Sequence, residues 1–99
     1  MKRTKNMRVE ESTESRELFL YCVNTERLYT QSILPALNNL KRKYNRGVFD
    51  SEKAVDLFYY VACNGAEMYK KDFGYSFTVT ERFTAAAEML NYFMDEITA

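Results

Sequence analysis

Apolar positions recur at intervals of three and four along most of the chain, and no run alternates apolar with polar residues as a half-buried strand would. With one Pro and three Gly in the sequence, little interrupts that period. The pattern predicts an all-α fold, a small bundle of three to four helices. A first helix is expected from about Ser12 to Val23, with Leu18, Phe19 and Cys22 facing inward. Asn24 and Thr25 carry oxygens suited to capping a restart, or lie inside one longer helix. A second helix, about 25 to 45, sets Tyr29, Ile33, Leu37, Leu40 and Tyr44 along one side. Pro35 falls within it. Its ring removes a backbone donor and strikes the preceding turn at a cost of roughly 3 kcal/mol, which predicts a kink or a fresh start. Residues 13–45 are thus compatible with one, two or three helices.

The third helix is expected to start at an Asp50 N-cap, with Glu52 in its first turn against the positive end of the helix dipole. Ala54, Phe58, Val61, Ala62, Gly65 and Tyr69 form its apolar stripe, widened by Val55, Leu57 and Ala66, so it is the expected central helix. Asn64-Gly65 has the composition of a hairpin turn. The periodicity resumes in phase after it, however, and favours a close helix crossing at Gly65. Thr78-Val79-Thr80-Glu81 is a capping box opening a fourth helix, on which Val79, Phe83, Ala86, Ala87, Leu90, Phe93, Met94 and Ile97 share one face. Between these helices Gly74 suits a left-handed terminator, with Phe73 and Phe77 expected to plug the bundle end.

Residues 1–12 hold most of the N-terminal charge and almost nothing to bury, so a flexible arm is expected ahead of a single helical domain over 13–99. A chain of 99 residues supports one modest core. Lys plus Arg (14) equals Asp plus Glu (14), so no global field recommends a polyanion or an anionic membrane. The basic start is not followed by the apolar run of a signal peptide, and no stretch is apolar enough to span a bilayer. A cytoplasmic protein is expected.

The most basic stretch is KRKYNRG, 41–47. If Tyr44 faces the core, Lys41, Arg42, Lys43 and Arg46 lie on the solvated side. There they complement the negative end of the second helix before Gly47 terminates it. The competing reading is anion or nucleic-acid contact by these four cations, supplemented by Lys2, Arg3, Lys5 and Arg8. No phosphate loop, helix-turn-helix or RNA-binding aromatic motif accompanies them.

Catalytic chemistry finds little support. Two cysteines far apart and no histidine exclude Cys/His zinc spacing, CxxC redox pairs and Cys-His nucleophiles. Glu81, Glu88 and Asp95 recur every seven residues on the side of the fourth helix opposite its apolar stripe, where acids stay solvated and keep ordinary acidity. No catalytic residue, metal ligand set or cofactor is expected. Eight Tyr and seven Phe exceed what one small core normally hides, so some rings belong at the surface. Tyr60 and Cys63 fall on the polar side of the third helix beside Asp56 and Glu67. Tyr92 falls between Glu88 and Asp95 on the fourth. Tyr60, Cys63, Tyr92, Glu88 and Asp95 are therefore the candidate partner contacts, either for another protein or for a second copy of the chain in a two-fold dimer.

The segment RLYTQSILPALNNLKRKYNRGVFDSEKAVDLFYYVACNGAEMY, about half the chain, resembles short orphan proteins encoded by tailed bacteriophages. The shared pattern is a helix with an internal LP, a basic end such as KRKYNRG, then FDSEKA opening a helix with aromatic FYY. These are capping and packing motifs. The resemblance implies a small phage-carried protein in the cytoplasm of a bacterial host, acting by binding and blocking a host protein as anti-CRISPR and anti-restriction proteins do. It brings no catalytic residues.

Overall fold

A computed structural model describes residues 9–99. The expected arm lies in residues 1–8, outside that range, and in the first turn of α1, which begins at Val9 instead of near Ser12. Four helices make up the bundle: α1 (Val9–Asn24), α2 (residues 26–45), α3 (Ser51–Phe73) and α4 (Val79–Thr98). No strand occurs among the described residues, so the fold is all-α. None of these helices is long and apolar enough to cross a membrane.

The break between α1 and α2 is real, but its chemistry differs from a simple cap. Thr25 leaves the helical region (φ −93°, ψ 110°), yet its hydroxyl accepts nothing from α2. It donates instead to the Tyr21 carbonyl at 2.6 Å, satisfying an orphan acceptor at the end of α1. Within α2, Tyr29–Ile33 widens into a π turn, where the Leu34 amide donates to the Tyr29 carbonyl five residues back. Pro35 then sits in the first turn of the α segment Leu34–Asn45, where its missing donor is not needed. The widened turn shifts the inward face by one residue. Leu28 is buried and Tyr29 only half-buried, and the five-residue step from Leu28 to Ile33 is the π spacing.

Tyr44, expected in the core, is 43% exposed. The inward stripe of α2 ends at Leu40, and the Tyr44 ring packs edge-on against Phe49 at 6.2 Å. Tyr44 belongs to the terminating turn itself. The amides of Gly47 and Val48 donate to the carbonyls of Tyr44 and Lys43 in a Schellman arrangement, with Gly47 at φ 75°.

α3 is capped as its sequence indicates. The Asp50 carboxylate accepts from the amides of Glu52 (2.9 Å) and Lys53 (3.4 Å), and Gly74 closes the far end in the left-handed region. Gly65 lies under α1, and a Cβ there would collide with Cys22 Sγ, so the close crossing is the correct account of Asn64-Gly65. α4 opens with the complete capping box between Thr78 and Glu81. Its buried face is rotated from the expected one. Ala85 and Met89 are fully buried, whereas Val79 is exposed and Phe83 is 41% exposed. The cause is that α4 is covered by α1 as well as by α3 and α2, so the centre of burial moves toward the α1 side. Each of the four helices touches the other three, and α3 packs most extensively on α4. Between them Phe58 stacks on Phe93 at 6.0 Å and 12°.

Candidate partner-binding site

Tyr60 is held outward by the rotation of α3. Phe58, Val61 and Ala62 are buried against the other helices, which leaves the Tyr60 ring 71% exposed. It takes part in no hydrogen bond or ring pair among the described residues. Two clefts between α2 and α3 meet at this ring. One, of about 520 Å³, is lined by Leu40, Lys43, Val48, Asp56 and Leu57 among others. The second, of about 270 Å³, has Pro35, Ala36, Leu57, Val61 and Asn64 in its walls. The result is an amphipathic ring on an apolar floor with both signs of charge beside it. Cys63 follows one turn later as a half-buried free thiol.

The other sequence-derived contacts lie on a different seam. Tyr92 is 63% exposed, but its ring packs edge-on against Phe19 of α1 (5.4 Å) and against Phe93 (4.9 Å). Glu88 does not keep the fully solvated position expected of it. Its carboxylate pairs with Arg16 of α1 at 3.3 Å, with only 25% of its side chain exposed. The Arg16 guanidinium also lies over the Phe19 ring. Glu81 is occupied in the capping box, which leaves Asp95 as the exposed acid of the three. The structure thus gathers Glu88, Tyr92 and Asp95 along the α1–α4 seam and separates them from Tyr60 and Cys63, the two tyrosines lining different clefts among the described residues.

The four cations of the basic stretch have different surroundings. Lys41 Nζ pairs with Glu96 of α4 at 3.4 Å. Lys43 shares its cleft with Asp50 and Asp56. Arg42 and Arg46 remain exposed.

One arrangement escaped the sequence reading. At the end of the bundle where α3 gives way to α4, Tyr21, Tyr69, Phe73, Tyr75 and Phe77 form a continuous set of ring contacts. Centroids are 5.1 Å apart for Tyr21–Tyr69, 4.6 Å for Tyr69–Phe73, 5.0 Å for Tyr69–Phe77 and 4.8 Å for Tyr75–Phe77. Phe77 is the buried plug, but Phe73, expected to share that role, is 66% exposed. It is the last residue of α3, past the inward stripe that Ala66 and Tyr69 end, and it packs at a tilt on the Tyr69 ring and edge-on against Tyr21. Each tyrosine of the set donates its hydroxyl to a carboxylate: Tyr21 to Asp72 (3.0 Å), Tyr69 to Glu17 (3.4 Å) and Tyr75 to Glu81 (3.3 Å). Partial removal from water, followed by these acceptors and their charge, raises all three hydroxyls above the ordinary tyrosine value. The four-residue spacing of Tyr69, Phe73 and Phe77 was the sequence signal available for the cluster.

Compared with protein-family models, with curated proteins and with solved structures, the chain matches none.

Proposed function

We propose that the chain is a non-enzymatic interaction protein that binds another protein through the α2–α3 face and covers part of that partner's surface, with Tyr60 as the anchor. The observation that carries this reading is the 71% exposed Tyr60 ring standing between two clefts without an internal partner. Rings of this kind, seated beside apolar hollows and ringed by polar groups, hold much of the binding energy at protein interfaces. Lys43, Lys53, Asp50 and Asp56 around the larger cleft supply both signs of charge, which orients a protein partner better than it grips a phosphate backbone. The pairing of Lys41 with Glu96 further weakens the case for nucleic acid at this end. The resemblance to phage proteins makes a bacterial host protein the expected target and inhibition by occlusion the expected effect. The Glu88, Tyr92 and Asp95 seam and half-buried Cys63 are secondary candidates.

The test is an affinity capture from bacterial lysate with the full chain and with Tyr60→Ala. At so exposed a position alanine should change stability by no more than about 0.5 kcal/mol. A specific protein captured by the parent and lost with Tyr60→Ala, at unchanged helicity and melting temperature, is the expected result. Capture indifferent to Tyr60 removes the anchor, and recovery of nucleic acid alone moves the function to the other class.

A further inference from the structure

A second surface has a different chemistry. Beneath exposed Phe73, a cleft of about 400 Å³ opens between α1 and the α3–α4 connection, with Tyr69, Phe73, Tyr75 and Phe77 as its aromatic walls and Glu14 and Glu17 on its rim. The interplanar angles of 45° for Tyr69–Phe73, 64° for Tyr69–Phe77 and 76° for Tyr75–Phe77 set these rings as walls of a box, not as a parallel stack. Ring faces carry negative electrostatic potential, and cations are attracted to them most strongly where water is partly excluded. The Tyr69 and Tyr75 hydroxyls donate to the carboxylates of Glu17 and Glu81, so their protons are turned toward the acids. Asp72 adds a further carboxylate nearby through Tyr21, and the negative end of the α3 dipole terminates at Gly74 beside the cleft. The neighbouring cations are Lys70 and Lys71 on the last turn of α3 and Arg82 of α4, whose guanidinium donates to the Phe77 carbonyl at 3.1 Å, and none of them lines the cleft.

We propose that this acid-rimmed aromatic cleft is a binding site for a cationic side chain, the guanidinium or ammonium of an arginine or lysine presented by a partner protein. The occupant is specified by charge complementarity: Glu14 and Glu17 line the aromatic hollow, Glu81 accepts from the Tyr75 hydroxyl in its wall, and no cation among the described residues lines it, so a cationic group is the one these charges favour. The site is independent of Tyr60, so either assignment can fail while the other stands.

The probe is Nα-acetyl-L-arginine amide, titrated into the full chain and followed by the NMR signals of the aromatic side chains. Nα-acetyl-L-citrulline amide, nearly the same shape without the charge, is the control. The expected result is saturable shifts confined to Tyr69, Phe73, Tyr75 and Phe77, with citrulline at least tenfold weaker and the response reduced by added salt. Phe73→Ala, at an exposed position that leaves the fold intact, should abolish the shifts, and Glu17→Gln should weaken them severalfold. Equal binding of the two probes, or arginine shifts that survive Phe73→Ala, overturns the assignment. The chain's own Lys2, Arg3, Lys5 and Arg8 carry the same chemistry, so a variant with all four changed to glutamine is titrated in parallel. Binding to both proteins supports a partner's side chain as occupant. Binding only to the variant overturns that source in favour of the chain's own N-terminal residues.

Discussion

Cys22 and Gly65 are a matched pair: one side chain occupies the space that the absence of another provides. Gly65→Ala should gain about 1 kcal/mol of helix propensity but drive a methyl into the buried Cys22 sulfur, an overpacking of about 1 to 3 kcal/mol. The net expectation is destabilisation. In a Cys22→Ala background the nearest remaining atoms, Leu28 Cδ1 at 3.4 Å and Leu18 Cδ1 at 3.6 Å, are at ordinary contact, so the same change should become neutral or stabilising. Chemical denaturation of the four proteins in the cycle reads that reversal of sign. Cys22 has a second consequence. Burial pushes its thiol from 9.0 up to about 12, so the folded chain holds a proton that the unfolded chain releases. The associated stability is complete below pH 9 and declines as pH rises toward 12, by about 1.4 kcal/mol per unit. Tyr21, Tyr69 and Tyr75 are shifted in the same direction from 10.0 and steepen the loss at the alkaline end. Denaturation midpoints from pH 8 to 11 should fall, with the onset moved to higher pH in Cys22→Ala.

At the scale of the elements, the boundaries that local chemistry sets were legible in the sequence and those set by neighbours were not. Asp50, Gly47, Gly74 and the Thr78–Glu81 box act within four or five residues of themselves, so residue type and spacing carry the whole signal. The stripe of α3 was legible for a related reason, because it is regular from Ala54 to Ala66. The π turn was not. It follows from fitting Leu28 and Ile33 into one core ahead of Pro35, which an unbroken α period cannot do. The rotation of α4, the Arg16–Glu88 pair and the outward Phe73 likewise depend on what lies across the interface. The candidate site was legible only in its anchors: the exposure of Tyr60 and Tyr92 followed from helical phase, whereas their separation onto two seams required the packing. Removing the caps should show their separate worth. Thr78→Ala and Asp50→Ala are each expected to cost about 1 kcal/mol, and Asp50→Ala the more, since the Asp50 carboxylate accepts from two amides, whereas Thr78→Ala removes one acceptor and keeps the backbone amide that donates to Glu81 at 2.9 Å. Thermal melts of the two variants compare them.

The whole molecule rests on one modest core, and its margin is correspondingly narrow. Phe58→Ala, at a fully buried site stacked on Phe93, and Leu90→Ala should each cost roughly 2 to 5 kcal/mol, a large share of the stability of so small a domain. Loss of helical signal near room temperature in either variant is the expected reading by circular dichroism. The charge distribution gives a second expectation at this scale. Formal charge balances to zero, and ion pairs tie Lys41 and Arg16 to α4, so titration with duplex or single-stranded DNA should show no binding tighter than micromolar at physiological salt. Tight binding that collapses as salt rises would reassign the exposed Arg42 and Arg46.

The π turn also bears on descent. It spends five residues where an α turn spends four, so a related chain without it should be one residue shorter between Leu28 and Ile33 and should lack Pro35, whose ring a plain α-helix would accommodate poorly. An alignment that forbids gaps inside helices would place such a relative's α1 one position out of step, pairing its core residues with the surface residues of this chain.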